Sequence, residues 1–127
     1  MKVFVLFGRL SIERDVFIRS AHNVISALKE AGHNVTSYDT KMGLHKIEEI
    51  VSEYDVIFPM IHGEGGEDGS LQEVLEASVC KYVCFGAEAS GLCFNKVALE
   101  QKIKTAGIVP PDWEVVTKGN SLCSSIV

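Results

Sequence analysis

The sequence predicts a three-layer α/β fold around a mainly parallel, four-stranded sheet. Two observations carry this. Short apolar segments at 2–7, 33–39, 54–61 and 81–86 alternate with segments of helical spacing. The turns between them are marked by glycine or proline, at Gly8, Gly32, Gly86 and Gly107 and at Pro110 and Pro111. With 127 residues, the chain has the size of one ordinary domain.

KVFVLF at 2–7 is apolar almost throughout, as a parallel strand buried on both faces must be. The spacing then predicts a helix over 14–31. Val16, Val24, Ile25, Leu28 and Ala31 recur at three and four, and Gly32 stops it. HNVTSYD at 33–39 alternates like a second strand. Ile47, Ile50 and Val51 mark a short helix within 44–53. YDVIFPMI at 54–61 is a third strand, with Pro59 awkward near its end because it removes a ladder donor. Ser70 and Glu73 fit a capping box opening a helix over 70–79. KYVCFG at 81–86 reads as a fourth strand, and 87–106 as one helix closed by Gly107.

The composition, 46% hydrophobic and 23% charged, suits a globular core. A net charge of −5 gives no support to nucleic-acid binding, which needs clustered Lys and Arg. No apolar run reaches the eighteen or so residues of a membrane span. MKVFVLFG is too short an apolar run for a signal peptide. Cys80, Cys84, Cys93 and Cys123 form no CxxC pair, and read as reduced, packed thiols of a cytoplasmic protein.

Ligands of parallel α/β sheets gather at the carboxyl ends of the strands, which puts two loops in view. GRLSIERD, 8–15, lacks the GxGxxG of a dinucleotide fingerprint, and GxxxxGK[ST] is absent from the chain. Its Ser11 and Glu13 stand near a helix start, where simple capping explains both. HGEGGEDG, 62–69, has four glycines and three carboxylates, and the carboxylates would repel a phosphate. They suit an ammonium group, a hydrogen-bond network within the loop, or the positive end of the next helix. His62, at a strand's carboxyl end against glycines, is a candidate ligand contact.

HGEGGEDGSLQ, 62–72, resembles the HGxxGEDGxxQ motif of D-alanine–D-alanine ligases. VLFGRLSIERDV, 5–16, is similar to the GGxSxExxVS region of that family. GAEASGLCFNK, 86–96, looks like its GxxAS…DK segment, and AGIVPPDW, 106–113, like the link into its central domain. The resemblance covers essentially the whole chain. It implies a pre-ATP-grasp, Rossmann-like domain over 1–109, with 110–127 forming a linker and the start of a central ATP-grasp domain.

The resemblance further implies an enzyme of peptidoglycan synthesis that uses ATP and Mg2+ to join two D-alanines through an acyl phosphate. Glu13 would hold the ammonium of the first D-alanine, and Ser11 would lie in the same loop at the substrate. Val16 would pack near its methyl group and His62 would help bind it. Lys96 would approach the ATP phosphates. A homodimer is the implied assembly. Four positions depart from the family pattern: Arg9, Phe17, Cys84 and Asn95. Arg9 and Phe17 border the implied pocket. The nucleotide clamp and the magnesium carboxylates belong to later domains of the family. The chain therefore reads as the N-terminal part of such a ligase, inactive alone. The alternative is a stand-alone amino-acid-binding module.

Overall fold

A computed structural model describes residues 1–8, 14–43 and 47–116. Three parallel strands form the sheet: β1 (Lys2–Phe7), β2 (Asn34–Asp39) and β3 (Val56–Met60), in the order β2-β1-β3. In register, Val3 faces Val35 on one side and Val56 on the other. β1 is thus central, and Val3, Phe4, Val5 and Leu6 are all buried. That is why this stretch reads as continuously apolar rather than alternating.

Helix α1 (Arg14–Glu30) connects β1 to β2 and packs on both. It ends where the His33 amide donates to the Leu28 carbonyl and the chain turns at Gly32. The connection from β2 to β3 crosses β1 the other way. It carries a 3-10 turn (Thr40–Met42), helix α2 (Ile47–Ile50) and a second 3-10 turn (Val51–Glu53). Right-handed crossovers running in opposite directions place their helices on opposite faces, which gives three layers. The larger core lies on the α2 side. There Phe4 and Leu6 meet Ile47, Val51, Ile57, Ile61, Leu71 and Leu75. Phe4 also stacks on Tyr54, with ring centroids 4.6 Å apart. The predicted helix over 44–53 is shorter than expected within the described residues and finishes in 3-10 form.

The sheet has three strands, not the four expected. Residues 81–86 contribute a single parallel bridge, Ile57 with Tyr82. The Ile57 amide donates to the Lys81 carbonyl, and its carbonyl accepts from the Val83 amide. In a parallel pair every second residue turns to the same neighbour, so the next donor on this edge would be residue 59. Residue 59 is proline and has none, so the ladder stops after one rung.

Helix α3 (Ser70–Ala77) follows the glycine-rich loop. The expected single helix over 87–106 is two, α4 (Ala87–Phe94) and α5 (Lys96–Thr105). Asn95 divides them. Its backbone is extended, and its side chain accepts the Ala98 amide hydrogen, capping α5. Glu76 joins α3 to α4, accepting from the Tyr82 hydroxyl at 2.8 Å and the Ala87 amide at 3.0 Å. Burial first, then this carboxylate, push the Tyr82 hydroxyl up to about 12. No helix among the described residues is long and apolar enough to cross a membrane.

Candidate active site at the carboxyl ends of β1 and β3

Strand order reverses at β1, because the chain runs to β2 on one side and to β3 on the other. The crevice between β1 and β3 at their carboxyl ends is therefore the place where such a sheet takes a ligand. Gly8 and Arg14 bound the segment 9–13 on the β1 side, and His62 follows β3. Glu13 and Ser11, expected at the substrate, lie outside the described residues.

The loop 62–69 is held largely by its own carboxylates. Glu67 accepts the Gly63 amide hydrogen at 2.7 Å with one oxygen and contacts His62 Nδ1 at 3.1 Å with the other. The Gly63 amide holds the Glu67 carboxyl below the ordinary range; burial opposes this, and His62 and the charge of Lys96 add to it. Asp68 accepts from the Gly65 amide at 2.7 Å, and from the Ser70 hydroxyl at 2.6 Å and amide at 3.1 Å. The Ser70 hydroxyl leads in holding its carboxyl low. The expected capping box is thus replaced. Ser70 is the first helical residue, Gly69 stands at the cap, and Asp68 supplies the acceptor for the helix start.

Two glycines make this fold of the loop possible. A Cβ on Gly66 would come within 2.5 Å of the Ile61 carbonyl oxygen. Gly69 has φ +95°, and a Cβ there would meet the Ala87 carbonyl oxygen at 2.6 Å. Beneath them the Gln72 side chain, fully buried, donates to the Gly66 carbonyl at 2.7 Å. The loop is therefore a rigid wall rather than a phosphate cradle.

His62 is about half exposed, at 49% of its side-chain surface. Its ring lies against that of Phe17, with centroids 4.8 Å apart and planes tilted by 34°. Phe17 and Val16 are neighbours in the first part of α1, and Val16 is exposed. Lys96 is the first residue of α5, and its ammonium donates to the Cys93 carbonyl at 3.2 Å. Lys96 lines a cavity of about 410 Å³ with Glu67, Cys84, Phe85, Ser90 and Phe94. His62 does not line that cavity. Glu67 belongs to both places: it binds His62 and borders the cavity with Lys96.

On the β1–β2 side, Arg14 and Asp39 form an ion pair, with Arg14 Nη1 3.2 Å from Asp39 Oδ1. The Arg14 hydrogen bonds lead in holding the Asp39 carboxyl below its usual value, and the same pairing raises Arg14. A Cβ on Gly8 would strike this pair, at 2.2 Å from Asp39 Oδ1. Sequence reading singled out neither the pair nor the Phe17–His62 contact. Among the described residues, no group of three or more His, Cys, Asp or Glu is placed to hold a metal ion.

Comparison with known proteins points to one kind of enzyme. The family profile described as D-ala D-ala ligase N-terminus matches residues 40–85. The chain is 38% identical over 113 residues to the D-alanine–D-alanine ligase of Nitratidesulfovibrio vulgaris strain DP4, covering 89% of this chain and 37% of that protein. It is 37% identical over 130 residues to that of Pseudoalteromonas atlantica, covering 99% and 40%. Among solved structures, the Bacillus anthracis D-alanine–D-alanine ligase complexed with ATP superposes with a TM-score of 0.82 at 27% identity. That match covers 99% of this chain and 43% of the other. The Aeromonas hydrophila ligase gives 0.76 at 29% identity, covering 96% and 52%. The chain thus spans about two fifths of the length of the relatives it matches. Over nearly its whole length it is similar to the N-terminal part of D-alanine–D-alanine ligases.

Proposed function

We propose that this chain is the D-alanine-binding, N-terminal part of an ATP-dependent ligase that joins two D-alanines. The observation that carries the reading is His62, fixed by Glu67 and Phe17 beside the β1–β3 crevice. An ionised carboxylate only accepts hydrogen bonds, so the hydrogen lies on Nδ1 and Nε2 is the pole left for a ligand. In this reading Glu13 binds the ammonium of the first D-alanine, and Ser11 stands in the same loop. Val16 packs at the methyl group, and His62 binds the same amino acid. Holding the ammonium fixes where the carboxylate lies, which is catalysis by positioning.

The Bacillus anthracis neighbour, solved complexed with ATP, supports ATP as the co-substrate. ATP would supply the phosphoryl group that activates the first carboxylate. Lys96 fits one side of that group: it is exposed, it lines the cavity, and its ammonium donates to the Cys93 carbonyl, an acceptor that phosphate can replace. The described residues do not make a magnesium site, so the Mg2+ that accompanies ATP would be held outside them. We also propose residues 1–109 as the substrate-binding domain and 110–127 as the link to a central domain. A cytoplasmic location is supported by unpaired thiols at Cys80, Cys84 and Cys93, and a homodimer by the family resemblance.

The test is the protein that carries this chain, assayed with D-alanine and ATP. His62→Ala is expected to raise the KM for D-alanine about tenfold or more, the scale of one hydrogen bond to a charged group. Unchanged D-alanine kinetics would remove His62 from the site.

A further inference from the structure

We infer that Phe17 is a positioning residue for the amino-acid pocket, acting by clamping the ring of His62. The inference rests on the D-alanine reading of the site and gives Phe17, expected only to border the pocket, a role in it.

His62 stands at a strand end with about half its side chain in solvent, so its backbone setting alone leaves its torsions free. Two contacts remove that freedom. Glu67, anchored by the Gly63 amide, binds Nδ1 and sets one direction in the plane of the ring. One such bond still lets the ring swing about the line from Nδ1 to the carboxylate. The Phe17 ring, 4.8 Å from the centre of the imidazole, blocks that swing from one face. Together the two contacts aim Nε2. Phe17 also lies in the first part of α1, directly after the segment bearing Glu13. The same contact therefore ties the β1 side of the crevice to the β3 side. Loss of the ring would loosen that tie as well as the aim of the imidazole.

A double-mutant cycle in the protein that carries this chain tests the inference, with Phe17→Ala, His62→Ala and the pair. Phe17→Ala is expected to raise the KM for D-alanine about three- to tenfold, the size of one aromatic pair, with a smaller change in kcat. Phe17→Tyr, which keeps a flat ring, should restore most of it, and Phe17→Leu should not. In the His62→Ala background, Phe17→Ala should change KM little further, because the residue it acts through is gone. A purely structural role for Phe17 would instead give the same fold-change in both backgrounds. That result, or an unchanged KM for Phe17→Ala alone, would overturn the inference while leaving His62 in its site. If His62→Ala itself left KM unchanged, both the site and the clamp would fall.

Discussion

Asp39 stands at the carboxyl end of β2 and closes one flank of the site through its ion pair with Arg14, the first residue of α1. It also accepts the Lys41 amide hydrogen at 3.0 Å, so the carboxylate caps the 3-10 turn that follows β2. Both side chains are roughly three-quarters buried, at 22% and 26% exposure. The Asp39 carboxyl is therefore held below its ordinary value, chiefly by Arg14. A carboxyl depressed in the folded state contributes stability that is complete above its unfolded value, about 3.9, and is lost as pH falls through the folded one. The contribution is thus expected to disappear below about pH 4. Asp39→Asn should lower the unfolding midpoint at neutral pH and flatten its fall as the pH drops below about 4. Urea unfolding of both proteins across that range is the check, and parallel curves would show that the pair contributes nothing.

Single side chains also decide the ends of elements. Asn95 breaks what the apolar spacing reads as one helix, because its side chain satisfies the Ala98 amide and its own backbone leaves the helical region. Asn95→Ala should cost about 1 kcal/mol, and Asn95→Asp should restore it, since both Asn and Asp are strong caps. Midpoints of denaturant unfolding would separate the two variants; equal loss in both would refute the capping role. The same residue shows where sequence reading reaches its limit. β1, α1, β2 and β3 were legible because local pattern sufficed, a continuous apolar run for β1, recurrence at three and four for α1, and short β-rich segments bounded by turns for the other two. The strand at 81–86 was not. Its pairing depends on which way Pro59 faces, and that is set by register rather than by local pattern. Ser70 and Glu73 matched a cap motif, yet Asp68 took the role because Gly69 turns the chain first. In the site, His62 was legible from its place after an apolar strand. Neither its contact with Phe17 nor the separate Arg14–Asp39 ion pair was legible, since each joins residues far apart in sequence through the fold.

The whole molecule is acidic, with a net charge of −5, and the reaction proposed for the protein moves a phosphoryl group of dense negative charge. Such transfer is catalysed almost entirely by positioning and by preorganised positive charge. At the described site that charge is small. Arg14 is engaged by Asp39, and Lys96 faces a cavity it shares with Glu67. The described residues place no carboxylate cluster to hold a magnesium ion. What they do provide is an acidic, internally hydrogen-bonded loop with an imidazole held by Glu67 and Phe17, which suits the amino-acid binding proposed above. The 127-residue chain is therefore expected to form no D-alanyl-D-alanine from D-alanine, ATP and Mg2+ by itself. ADP release and dipeptide formation by the purified chain are the measurements. Both should stay at background, whereas a protein that also carries the remaining three fifths or so of its relatives' length should show both. Steady dipeptide formation by residues 1–127 would mean that the division of labour proposed here fails.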